Sequence, residues 1–169
     1  NTLSGGDGND IFYAGSGMDF ITGGMGADTF YSGTGTAYML GDLGANGSGT
    51  SAPGELSSSS AAGSADTFYV KTGTNYIFGG AGNDRIYGGG DNYVVGDNGT
   101  MEFDGSGKVT SMTADGAVGG SDYFDSLGGS GTSIFMGGAG KDTIKGGDAT
   151  NIVLGGNGNA PTLQGLDFV

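Results

Sequence analysis

Large apolar residues recur along the chain at a spacing of nine or close to it. They run Phe12, Ile21, Phe30 and Met39, then Phe68, Ile77, Ile86 and Val94, then Phe124, Phe135, Ile144 and Val153. Two residues before each stands a small or polar residue: Asp10, Asp19, Asp28 and Ala37, then Asp66, Asn75, Asp84 and Asn92, then Asp122, Ser133, Asp142 and Asn151. The full unit is clearest in Gly23–Tyr31, GGMGADTFY, and returns in Gly5–Tyr13, Gly79–Tyr87 and Gly137–Lys145. Closely spaced glycines let the backbone take positive φ and turn sharply, which points several carbonyls to one side. The Asp adds a carboxylate at the end of the turn. The apolar residue two places on lies in an extended segment, where side chains alternate between faces. Each unit therefore predicts one turn followed by one short strand, its apolar residue facing a core. One unit cannot bury that residue alone, whereas stacked units can. Two units make a coil of about eighteen residues, so units nine apart face each other and units eighteen apart stack.

The units fall into three blocks, 5–46, 66–99 and 122–163, separated by irregular insertions at about 47–65 and 100–120. Asp10 to Asp66 and Asp66 to Asp122 are both 56 residues. Three coils of eighteen nearly fill that interval, so the pattern predicts about nine coils in a single domain over 1–169, a rod of ~43 Å. The first insertion, rich in Ser, Ala and Gly, reads as a loose loop with part of a coil inside it. The second holds Met101–Phe103, a turn at Asp104–Gly107 and Lys108–Thr110, which reads as a hairpin.

The GGxGxD turns with their apolar eighth positions resemble the calcium-binding nonapeptide repeat of RTX proteins. The resemblance implies an all-β fold, a right-handed parallel β-roll, with Ca²⁺ between stacked turns held by carboxylates and turn carbonyls. Carried over, the ligand candidates are Asp10 with Asp28, Asp66 with Asp84, and Asp122 with Asp142. Asn46 is added as a neutral oxygen ligand, and Asp19 as a ligand without a stacked carboxylate partner. The third pair is twenty residues apart, with two extra residues near Leu127–Gly128. The opposite side of the coil carries Asn75, Asn92, Ser133 and Asn151, read as turn residues without metal, with a hydrogen-bonded ladder as the alternative. Asp7, Asp42, Asp91, Asp97, Glu102, Asp104, Asp115 and Asp148 are expected to be solvated. The tyrosines mostly stand at positions seven and nine and face outward. They either cover the sheets or offer a contact surface.

Composition narrows the function. A net charge of −13 with five Lys and Arg leaves no basic patch to meet phosphates, so nucleic acid is not an expected partner. No run approaches the eighteen apolar residues of a membrane span. With 42 Gly and 35% hydrophobic residues, the core is thin and Ca²⁺ must supply stability. The chain has no His and no Cys, which removes the commonest general base and the thiol nucleophile, and no enzyme is expected. Two roles remain. One is a calcium-stiffened rod or assembly segment of an exported surface layer, adhesin or fibre, joining copies of itself or neighbouring repeats end to end. The resemblance implies the other: an RTX secretion-and-folding module of a type I-secreted enzyme or toxin, unfolded in the cytosol and folding outside the cell.

Overall fold

The computed structural model describes residues 1–42, 54–126, 129–146 and 150–156, with the backbone of 162–164. These residues form strands and no helix. In chain order they are β1 (Thr2–Asp7), β2 (Ile11–Tyr13), β3 (Met18–Met25), β4 (Thr29–Tyr31), β5 (Thr36–Leu40), β6 (Glu55–Ser58), β7 (Thr67–Val70), β8 (Thr74–Phe78) and β9 (Arg85–Gly88). They continue with β10 (Asp91–Val95), β11 (Gly99–Phe103), β12 (Val109–Ala114), β13 (Tyr123–Asp125), β14 (Thr132–Met136), β15 (Thr143–Lys145), β16 (Thr150–Leu154) and β17 (Thr162–Gln164). Two parallel sheets make the roll. One has the order β1-β3-β5-β8-β10-β14-β16 and the other β2-β4-β7-β9-β13-β15.

The nine-residue period sets the register. Phe12, Phe30, Phe68, Ile86, Phe124 and Ile144 are paired in turn along the six-stranded sheet. Leu3, Ile21, Met39, Ile77, Val94, Phe135 and Val153 are paired along the seven-stranded one. Apart from Val153, which is 46% exposed against the expectation of a core position, the two rows meet inside the roll as one core. Like residues stack on like, with ring centroids 5.1 Å apart for Phe12 and Phe30 and 4.5 Å for Phe30 and Phe68.

The roll is shorter than the nine coils expected. Among the described residues, seven and six strands stack, so the roll extends over about 29 Å at ~4.8 Å per strand. The reason lies in the insertions. β4 pairs directly with β7, and β9 with β13, so each 56-residue interval holds two coils and one excursion, not three coils. Among its described residues the first excursion forms no partial coil. Its β6 pairs antiparallel with β11 of the second excursion, which forms the expected hairpin with β12, and β17 adds to the far side of β12. This third, antiparallel sheet covers the outer face of the seven-stranded sheet. Leu56, Met101, Val109, Met112 and Ala114 bury a second core there against Tyr38, Leu40, Tyr76, Phe78, Val95, Ile134 and Met136. Phe103 sets its edge against the rings of Tyr38 and Tyr76, at 6.1 and 5.2 Å. Tyr38 and Tyr76 therefore face out of the roll yet are buried.

Candidate metal ladder

Each repeated turn ends in an Asp whose backbone enters the next strand of the six-stranded sheet. The Asp10 N–H donates to Oδ1 of Asp28 at 2.7 Å. Asp28 donates to Asp66 at 2.7 Å, Asp66 to Asp84 at 2.8 Å, Asp84 to Asp122 at 2.8 Å and Asp122 to Asp142 at 3.0 Å. The sequence spacing runs 18, 38, 18, 38 and 20, yet the spatial step repeats. The three pairs read from sequence are therefore one continuous column of six carboxylates. The two extra residues before Asp142 do not disturb it, because Phe124 still pairs with Ile144. Asn46 lies outside the described residues, and Asp66 stands next to Asp28 in the column.

The second oxygen of every member is orphaned. Oδ2 of Asp10, Asp28, Asp66, Asp84, Asp122 and Asp142 is buried without a hydrogen-bond partner. Its surroundings are shaped by glycine. A Cβ added at Gly23 would overlap Asp28 Oδ2 and lie 2.6 Å from the Gly41 carbonyl oxygen of the next coil. The same carboxylate-and-carbonyl cradle recurs at Gly5 (Asp10 and Gly23), Gly41 (Asp66 and Gly79), Gly79 (Asp84 and Gly96) and Gly96 (Asp122 and Gly137). Any side chain there would fill the cradle. The turn itself needs glycine for a second reason, since Gly24 and Gly26 take φ of 113° and 117°.

Without a cation this column is costly. Burial pushes the Asp66 and Asp84 carboxyls up to about 8 and Asp122 to about 9, with neighbouring carboxylates adding to the rise and the accepted N–H bonds only partly offsetting it. Asp28 and Asp142 are raised for the same first cause, burial. Buried charges must be paired or bind a metal, and among the described residues no Lys or Arg reaches the column. Orphaned carboxylate oxygens converging with backbone carbonyls fit a hard divalent cation such as Ca²⁺, which takes oxygen ligands in flexible geometry. The column residues would hold it, and the cation would supply the positive charge the column lacks.

The opposite side of the coil differs. Asp19, Ala37, Asn75, Asn92, Ser133 and Asn151 stand in one register row. Asn75 Nδ2 donates to Asn92 Oδ1 at 2.9 Å, and Asn92 Nδ2 to Ser133 Oγ at 3.2 Å. Asp19 faces Ala37 on one side and receives Asn1 Nδ2 at 2.6 Å and the Gly15 N–H at 3.0 Å. Burial raises its carboxyl and the hydrogen bonds it accepts lower it, and the net shift is downward. Asp19 thus stands apart from the six-carboxylate column.

Two acids expected at the surface are not there. Asp42 and Asp97 are 1% and 0% exposed. Burial pushes both up to about 7 against the backbone N–H bonds they accept. Their signal in the sequence is position: each replaces the second glycine of a GG turn just before an insertion. Asp7, Asp91, Glu102 and Asp115 are exposed as expected, and Asp148 lies outside the described residues.

A parallel roll with oxygen-lined turns is a repeat protein built to bind cations along its edge. Residues 4–39, 61–100 and 127–159 match the RTX calcium-binding nonapeptide repeat, in four copies. These segments make up more than half of the chain, and the protein belongs to this family of calcium-binding β-rolls. No curated protein matches it.

Proposed function

We propose that the chain is a structural, non-enzymatic segment of an exported protein. It folds into a stiff roll when Ca²⁺ fills the column of Asp10, Asp28, Asp66, Asp84, Asp122 and Asp142. The observation that carries this reading is the column itself: six buried Oδ2 atoms without a partner run through the described roll from β2 to β15. Weak calcium sites fill only where Ca²⁺ is abundant, which favours a site of action outside the cell. The buried carboxylates already serve the column or the turns, and the chain has neither His nor Cys, which supports a role without catalysis. Among the described residues no helix is long and apolar enough to cross a membrane.

A second reading draws on the same column. If the metal-free roll cannot close, the chain leaves the cell unfolded and folds on arrival, as a secretion-and-folding module of a larger protein would. Calcium titration of chelated protein, followed by circular dichroism and light scattering, separates the two. Cooperative gain of β-structure with growth into larger assemblies supports the rod. The same gain at constant size supports the folding module. A chain fully folded in chelator and indifferent to Ca²⁺ overturns both.

A further inference from the structure

The column leaves two buried carboxylates, Asp42 and Asp97, without a role. Each stands directly after the first glycine of an interrupted turn. The uninterrupted turns carry Gly6, Gly24, Gly80 and Gly138 at that place, with φ of 108°, 113°, 104° and 94°. No described non-glycine residue has positive φ. An Asp fits here because the chain leaves the coil instead of turning back. It returns at Gly63 and Gly119, where an added Cβ would collide with the Asp42 or Asp97 carboxyl.

The two carboxylates make equivalent bonds. Asp42 accepts the Ser64 N–H at 3.4 Å, where the first insertion returns, and the Ala81 N–H of the next coil at 3.0 Å. Asp97 accepts the Gly120 N–H at 2.8 Å, where the second insertion returns, and the Ala139 N–H of the next coil at 2.5 Å. Each therefore joins the departing chain, the returning chain and the coil above. Among the described residues neither has a counter-cation. The unpartnered Oδ2 atoms of Asp66 and Asp122 belong to the very turns that Asp42 and Asp97 close, and both atoms are buried. Asn98, beside Asp97 and 2% exposed, knits the insertions together. Its Oδ1 accepts the Ser60 N–H at 2.9 Å and the Ser58 hydroxyl at 3.1 Å, and its Nδ2 donates to the Ser60 carbonyl at 3.0 Å.

We infer that Asp42 and Asp97 are charge-supplying positioning residues of the calcium column, through which filling of the column closes the two interrupted turns and docks the third sheet. This rests on the calcium reading above. Metal-free, a buried charge in each interrupted turn opposes closure beside the column carboxylates. Metal-bound, the same charge is neutralised, the turn closes on its two N–H bonds, and β6, β11 and β12 are brought onto the roll.

The test compares Ca²⁺ with Tb³⁺, a trivalent ion of similar oxygen preference, on the whole chain and on Asp42→Asn/Asp97→Asn. Asn keeps one of the two acceptor oxygens and removes the charge. Any simple loss of fold stability weakens both ions alike and cancels in the ratio of their midpoints. A lost charge penalises the trivalent ion more. The expected result is a Tb³⁺-over-Ca²⁺ preference lowered by about tenfold, with calcium binding itself weakened. An unchanged ratio overturns the inference and leaves the two residues as turn staples. If the double variant does not fold at saturating Ca²⁺, the single variants decide by the same ratio. In the same samples, hydrogen exchange of β11 and β12 amides should slow at the calcium midpoint of each protein. Full protection in chelator overturns the coupling. A parent chain that binds neither ion overturns the calcium reading, a result distinct from an unchanged ratio.

Discussion

Asn75 shows what one missing donor does. Its Nδ2 bonds Asn92, but its Oδ1 is buried without a partner, because the residue stacked against it is Ala37. An unsatisfied buried acceptor costs on the order of 1–3 kcal/mol. Ala37→Ser places a hydroxyl that can donate in that row, where Ser133, one step beyond Asn92, already carries a hydroxyl that accepts from it. We expect it to stabilise the calcium-loaded protein by about 1 kcal/mol in chemical unfolding. A loss of stability would mean the row is too tight at Ala37 for one more atom.

The column carboxylates make a second prediction at this scale, and its sign follows from proton counting. Their folded, metal-free values of about 8, 8 and 9 at Asp66, Asp84 and Asp122 lie above the unfolded value near 4. The metal-free fold binds more protons than the unfolded chain across that interval, so its stability falls as pH rises from about 4 to about 9. Chelated protein should hold more β-structure at pH 5 than at pH 9 by circular dichroism. Protons and Ca²⁺ compete for the same oxygens, so calcium binding should strengthen over the same rise in pH.

At the scale of elements, the two parallel sheets have unlike outer faces. The six-stranded sheet exposes a tyrosine stack: Tyr13 on Tyr31 at 4.8 Å, Tyr31 on Tyr69 at 5.0 Å, Tyr69 on Tyr87 at 5.5 Å, and a tilted Tyr87–Tyr123 contact at 5.6 Å with Lys145 beyond. The seven-stranded sheet stacks Phe20, Tyr38, Tyr76 and Tyr93 beneath the third sheet. Equivalent truncations should therefore differ. Tyr76→Ala removes a buried ring from the second core and should cost about 3–5 kcal/mol. Tyr69→Ala, on the exposed stack, should cost about 1 kcal/mol. Unfolding of both variants in saturating Ca²⁺ checks the contrast, and equal losses would mean the third sheet contributes little burial.

This asymmetry was written in the sequence without being read from it. Tyr38-Met39-Leu40, Tyr76-Ile77-Phe78, Tyr93-Val94-Val95 and Ile134-Phe135-Met136 are unbroken apolar triplets, the mark of strands buried on both faces. The period of nine reported the interior row and the column, because stacking demands the same residue type at every step. It did not report which coil follows which across an insertion. Spacing along the chain places Asp28 and Asp66 far apart, and only the returning backbone brings them into one column. Asp42 and Asp97 were misplaced for a related reason. An acid beside a glycine-rich loop has the composition of a surface turn, and its burial arises from the coil above.

For the molecule as a whole, the interruptions matter more than their length suggests. Both excursions depart after the second residue of a turn and return at the third, and the strands before and after them pair as if nothing intervened. Closing a longer loop between fixed ends adds little entropy cost, since the cost grows only logarithmically with length. The turn is therefore a socket. A segment can be added there, fold on its own terms and rest on the outside of the roll without shifting the register of a single coil. The uninterrupted turns at Gly24–Met25 and Gly138–Ala139 have the same outline. The roll can be seen as a scaffold that acquires new surfaces by insertion at one repeated place, while the row of phenylalanines inside it stays unchanged.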